Sequence, residues 1–126
     1  MSYFISPPDD TNWKMRPDDF KNHLLAMWPN VLIRDLPTSE AFSFMWNICM
    51  RAGEVEGQFF QDGEGVVLDG DLGDCAAFAV WFRSLVPPKQ KLWFYDEPFI
   101  AHVDLTSETS AASIVATMRE LWRGID

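Results

Sequence analysis

Cysteine and positive charge are both scarce in this sequence of 126 residues. The two cysteines, Cys49 and Cys75, form no C-x-x-C pair, so neither a disulfide framework nor a cysteine-ligated metal site is expected. Lys and Arg number 10 against 19 Asp and Glu, which gives a formal net charge of −9. Because phosphate groups are bound by clustered Lys and Arg, this balance disfavours binding to nucleic acid or to an anionic membrane.

Long apolar runs are missing as well. No stretch approaches the roughly 18 apolar residues of a membrane span. The first ten residues, MSYFISPPDD, lack the basic and apolar regions of a secretory signal. We therefore expect a cytoplasmic protein without membrane contact, and the acidity is typical of bacterial cytosolic proteins.

Motifs that would specify a reaction or a cofactor are also absent. The sequence contains no G-x-G-x-x-G, Walker or G-x-S-x-G motif. The acids that begin at Asp69 do not follow the EF-hand pattern, since Gly73 comes one position early and Val80 occupies the twelfth position. The prediction is a protein without a cofactor, metal ligands or catalytic residues.

The clearest pattern that is present runs from residue 53 to residue 88. Two β-prone segments, residues 55–60 and 65–68, flank an Asp-Gly turn, which is a hairpin signal. Asp71 then stands where a helix N-cap is needed. The following residues, 72–85, are apolar nearly all round, so the most buried helix of the molecule is expected here.

Similar patterns along the chain predict ten elements in the order β-α-β-β-β-β-α-β-β-α. Pro17 opens the first helix, and a second hairpin is expected over residues 91–105. Hairpins build antiparallel sheets, and amphipathic helices cover one face of a sheet. The predicted fold is therefore a single α+β domain over residues 1–126, a two-layer sandwich with a mostly antiparallel sheet and the helices packed on one face.

Spacing also predicts which side chains face the core. Period-2 alternation over residues 42–50 indicates a strand. Its expected core residues are Phe42, Phe44, Trp46, Ile48 and Met50. In the first helix the expected core stripe is Phe20, Leu24, Met27 and Trp28, with His23 partly buried beside it. Both cysteines are expected to be small buried hydrophobic residues.

His102 and Asp104 leave a catalytic alternative open. They are two positions apart in a predicted strand, so they face the same side of the sheet. A small-molecule-binding domain or an enzyme that uses this open face is therefore the first alternative. No nucleophile motif accompanies the pair, and the main prediction is a protein that is not an enzyme. A homodimer or other homo-oligomer with a structural or regulatory role is the second alternative.

Aromatic and acidic residues beyond those needed for a core indicate a binding surface. If Leu92 and Phe94 face the core, Trp93 and Tyr95 face the opposite side. Aromatic anchors with a charged rim are typical of protein interfaces. The predicted binding residues are Glu54, Glu56, Asp62, Glu64, Asp69, Trp93, Tyr95 and His102.

The preferred function is an acidic protein-binding module for a basic partner. In size and charge the chain resembles the immunity proteins that neutralise secreted nuclease toxins, whose acids occupy the basic nucleic-acid site. That resemblance implies an inhibitor in which the acids Glu54 to Asp69 steer the partner, while Trp93 and Tyr95 anchor it.

Overall fold

The computed structural model describes residues 1–124, which form seven strands and three helices. The order is the predicted one, and the α+β sandwich is confirmed. The elements are β1 (Ser2–Ser6), α1 (Pro17–Met27), β2 (Leu32–Asp35), β3 (Phe42–Cys49), β4 (Glu54–Phe60), β5 (Val66–Asp69), α2 (Leu72–Ser84), β6 (Trp93–Asp96), β7 (His102–Asp104) and α3 (Ala111–Arg123).

All seven strands belong to one sheet, in the order β2-β3-β4-β5-β1-β6-β7. Every neighbouring pair is antiparallel. Strands β2 to β5 follow one another as a meander. The first strand of the chain then lies between β5 and β6, with Ile5 opposite Val66 on one side and Phe94 on the other.

The helices cover one face of this sheet with an aromatic core. Phe20 of α1 is fully buried, and its ring centroid lies 5.3 Å from that of Trp46 and 5.0 Å from that of Phe59. Asp71 caps α2 by accepting a hydrogen bond from the Asp74 backbone N–H at 3.1 Å, as predicted. Since α2 buries residues on most of its circumference, it is the central helix of the covering layer.

Four predicted orientations were wrong. A β-bulge between Phe42 and Phe44 shifts the register, so Phe42 pairs with Phe60 on the face opposite the helices. Met27, at the end of α1, is 53% exposed because the helix stops there. His23 is exposed, and Cys49 lies exposed at the end of β3.

Candidate functional site

The sheet face opposite the helices is uncovered in the part of the chain that the structure describes, residues 1–124. Its strand register is continuous, because each strand places one side chain in a row that crosses the whole sheet. From β2 to β7 that row is Arg34, Met45, Gln58, Val67, Phe4, Tyr95 and His102. We call this side of the molecule the uncovered face.

Aromatic side chains form a continuous band across the uncovered face. The centroid of the Phe60 ring lies 5.6 Å from that of Phe42 and 6.2 Å from that of Phe4. Phe4 in turn stacks on Tyr95 at 5.3 Å. The Tyr95 hydroxyl is 2.8 Å from the Ser6 hydroxyl, and this hydrogen bond fixes the ring.

The band continues into the β6–β7 hairpin. Tyr95 contacts Phe99 at 5.1 Å, and Trp93 stacks on His102 at 4.1 Å between ring centroids. Phe99 also lies 5.9 Å from Trp93 and 6.1 Å from His102. The aromatic band therefore consists of Phe42, Phe60, Phe4, Tyr95, Phe99, Trp93 and His102.

An acidic row lies beside the aromatic band and consists of Glu54, Glu56, Asp69 and Glu97. Glu56 and Asp69 are directly opposite each other on neighbouring strands, an arrangement in which like charges destabilise the sheet. Together with Glu97 they line a shallow cavity of about 260 Å³, which no Lys or Arg of residues 1–124 lines. The Asn47 side-chain amide donates a hydrogen bond to Glu54, and Asp69 lies 3.8 Å from the terminal amino group.

A second acidic group occupies the turn between β4 and β5. Asp62 and Glu64 line an open cleft of about 540 Å³ together with Asp9, Asp10 and Phe60. Desolvation raises the pKa of Glu64, and the neighbouring Asp62 raises it further through a hydrogen bond and its negative charge, whereas Lys14 lowers it. Carboxylates are therefore crowded at this end of the sheet too.

The turn of the β6–β7 hairpin is held by a buried carboxylate. Asp96 is fully buried, and its Oδ1 accepts the backbone N–H groups of Ile100 at 2.8 Å and Ala101 at 3.1 Å. Its Oδ2 accepts the Trp122 indole N–H at 2.9 Å, which ties the turn to α3. Phe99 within this turn has φ of 56°, a conformation that favours Gly or Asn.

The structure brings the predicted binding residues to one side of the molecule. Six lie on the uncovered face, namely Glu54, Glu56, Asp69, Trp93, Tyr95 and His102. The other two, Asp62 and Glu64, lie in the adjoining β4–β5 turn. Whether these residues bind a partner stays a prediction.

Several aromatic residues of the uncovered face were not among the predicted binding residues. Phe4 and Phe60 alternate with the buried Ile5 and Phe59, so strand alternation carried a signal for both of them. The placement of Phe42 on the uncovered face depends on the bulge, and that of Phe99 depends on its backbone conformation. Neither placement has a local sequence signal.

Within the described residues, the structure shows no pairing of His102 with Asp104 that would support the catalytic alternative. His102 and Asp104 are both exposed on the edge strand β7, and no hydrogen bond joins their side chains within residues 1–124. The His102 ring is instead stacked on Trp93. The same residues contain no group of three or more His, Cys, Asp or Glu placed to hold a metal ion.

Within residues 1–124, no helix has the length and apolar character required to cross a bilayer. Comparison of the chain with protein-family models, with curated proteins and with solved structures gave no match.

Proposed function

We propose that this protein is a protein-binding module whose uncovered face docks a basic protein. The observation that carries the proposal is the adjacency of the aromatic band and the acidic row on the one sheet face that the helices leave free. Protein interfaces combine aromatic anchors with a polar or charged rim.

The aromatic band supports tight contact because its rings are already fixed. Tyr95 is fixed through its bond to Ser6, and Phe4 is stacked between Phe60 and Tyr95. Side chains that are ordered before binding lose little conformational freedom when a partner docks. The band therefore supplies the anchors of the proposed interface.

The acidic row supports a basic partner. Glu56 and Asp69 are directly opposite each other, where like charges repel, and the terminal amino group lies 3.8 Å from Asp69. A cationic side chain of a partner placed between the two carboxylates would relieve the remaining repulsion. The formal net charge of −9 also accelerates encounter with a positively charged protein. A secreted nuclease toxin has this chemistry, so an immunity or inhibitor protein is the biological role that we propose.

Capture from the protein's own cells tests the proposal. A form tagged at its C-terminus is recovered gently, and the bound proteins are identified by mass spectrometry. We expect a stoichiometric basic protein that stays bound at moderate salt. Recovery of the protein alone, or only with further copies of itself, would contradict the proposal.

Association kinetics with the captured protein then show whether the acidic row is used. The double variant E56Q/D69N removes two charges from the uncovered face, whereas the control E108Q/E120Q removes two exposed charges, one in the loop before α3 and one in α3. We expect only E56Q/D69N to slow association, by roughly tenfold at low salt, and to flatten its salt dependence. Equal effects of the two variants would show that net charge, and not this face, steers the partner.

A further inference from the structure

We infer that the β6–β7 hairpin is a preformed site for an arginine side chain of the partner and that Phe99 is its principal contact. This inference rests on the proposed function, because it assigns one residue type of the basic partner to one part of the uncovered face. It concerns the edge of the sheet at Trp93, Tyr95, Phe99 and His102.

Phe99 destabilises the fold through its backbone conformation. Its φ of 56° lies in the left-handed region, which an aromatic residue rarely adopts, and its side chain is 52% exposed. The aromatic rings that lie beside its own are those of Trp93, Tyr95 and His102, all on the uncovered face. Glycine is the residue that normally follows such a hairpin turn, and it carries no strain there. Stability of the fold therefore does not explain a phenylalanine at this position.

The turn that contains Phe99 is held in this shape by a set of hydrogen bonds. Three N–H donors, from Ile100, Ala101 and Trp122, converge on the buried carboxylate of Asp96. A fourth bond runs from the Phe99 backbone N–H to the Asp96 carbonyl at 3.0 Å. Because hydrogen bonds to a buried carboxylate are strong, the backbone that carries Phe99 is held in this conformation before any partner arrives.

The acids of the hairpin bear on the chemistry of the occupant. Glu97 lies in the turn itself, whereas Asp104, directly opposite Trp93 in the strand pairing, lines a cavity together with Lys89 and Lys91. A purely apolar partner that covered the turn would desolvate Glu97 without compensation, whereas a cation would pair with it. Among cations, the planar and weakly hydrated guanidinium group stacks on aromatic faces better than an ammonium group does. The combination of exposed rings and the carboxylate of Glu97 therefore fits arginine.

Four proteins are compared in the test: wild type, F99G, F99Y and L25A. F99G removes the ring and the backbone strain together, and F99Y keeps the ring. L25A is the matched control, because Leu25 is 46% exposed on α1 in the helical layer. Urea unfolding establishes that each variant is folded, and we expect F99G to be at least as stable as wild type.

An oligoarginine peptide and an oligolysine peptide of the same length are titrated against each protein. Binding is followed by the NMR shifts of the Trp93 indole N–H and of the amides in the β6–β7 turn. We expect oligoarginine to move these signals in wild type, F99Y and L25A, and to bind F99G roughly tenfold more weakly. Oligolysine should bind wild type more weakly than oligoarginine does.

The outcomes separate the two proposals. If F99G binds oligoarginine as tightly as wild type, or if oligolysine matches oligoarginine, the arginine site is wrong. Signals at Glu56 and Asp69 that still respond would then leave the wider docking face standing. If oligoarginine shifts no signal anywhere on the uncovered face, the arginine site is wrong and the docking face loses its support as well.

Discussion

The two faces of the sheet use the same residue types for different purposes. Phe59 and Phe60 are neighbours in β4, and strand alternation sends their rings to opposite sides. Phe59 is fully buried against Phe20 of α1, at 5.0 Å between ring centroids. Phe60 is half-buried and stacks on two rings of the sheet itself, Phe42 and Phe4. Aromatic content alone thus does not distinguish a core from a surface.

Carboxylates distinguish the faces more clearly. The buried Asp96 has a donor for each oxygen, and both oxygens of the buried Asp74 accept the Ala52 backbone N–H, at 3.0 and 3.2 Å. On the uncovered face Glu56 and Asp69 are placed opposite each other, with the terminal amino group 3.8 Å from Asp69. The two buried carboxylates hold turns of the fold through hydrogen bonds, whereas Glu56 and Asp69 carry more negative charge than this single cation offsets.

The largest expected difference between the faces comes from truncating the two neighbouring phenylalanines. F59A leaves a cavity between the sheet and α1, and we expect it to lower the free energy of unfolding by about 3–5 kcal/mol. F60A removes a half-buried ring and should cost about 1–2 kcal/mol. Urea unfolding of both variants checks this comparison. Losses of equal size would mean that something covers the uncovered face in solution.

A smaller effect is expected from adding one methyl group on the covered face. A Cβ at Gly57 would overlap the indole of Trp46, which is fully buried. Because the indole has no room to move, G57A should lower the free energy of unfolding by about 1–3 kcal/mol.

Gly53 provides the control for this variant, since a Cβ there meets nothing within 4 Å. The G53A variant should change the free energy of unfolding by less than about 0.5 kcal/mol, measured by the same unfolding experiment. A neutral G57A would show that Trp46 and β4 are packed more loosely than described.

The two cysteines differ in burial, and their rates of reaction with a thiol reagent test this difference directly. Burial raises the pKa of the Cys75 thiol to about 12, and the negative charges of Asp74 and Asp71 add to this. At mildly alkaline pH we expect a thiol reagent to label the exposed Cys49 at once, and Cys75 at least about a hundredfold more slowly. In C49S no thiol of the folded protein should react quickly, and rapid labelling there would contradict the described burial.

The same shift of the Cys75 pKa has a consequence for stability. The folded state holds the proton to about pH 12, while the unfolded thiol loses it above about pH 8.5. Since the unfolded state then binds fewer protons, stability falls as the pH rises through this range. A C75A variant should lose this part of the alkaline destabilisation, as thermal unfolding at a series of pH values would show.

Local sequence patterns were sufficient for the order of the elements, because hairpin, capping and periodicity signals are carried by neighbouring residues. Asp71 at the start of α2 is one example, and the burial of Phe94 in β6 is another. Six of the eight predicted binding residues reach one face for the same reason, since strand alternation fixes the side on which each lies.

Three features could not be predicted from local patterns. They depend on contacts between residues that are far apart in the sequence or on the backbone angles of a single residue. The place of β1 depends on Ile5 pairing with Val66 and Phe94, and no local pattern encodes these partners. The shift of Phe42 to the uncovered face depends on one extra residue in β3. The conformation of Phe99 could not be predicted, because its residue type argues against it.

The position of β1 also sets the order in which the molecule can be completed during synthesis. Ser2–Ser6 is synthesised before Val66–Asp69 and Trp93–Asp96, and it is paired on both sides only after both of them have been made. Contacts between distant parts of a chain form slowly, so we expect folding in the millisecond-to-second range. Until β6 arrives, the nascent chain exposes an unpaired strand edge that other chains can join. The pairing of β1 with β6 thus closes this edge and attaches the hairpin that holds Phe99 to the sheet in one step.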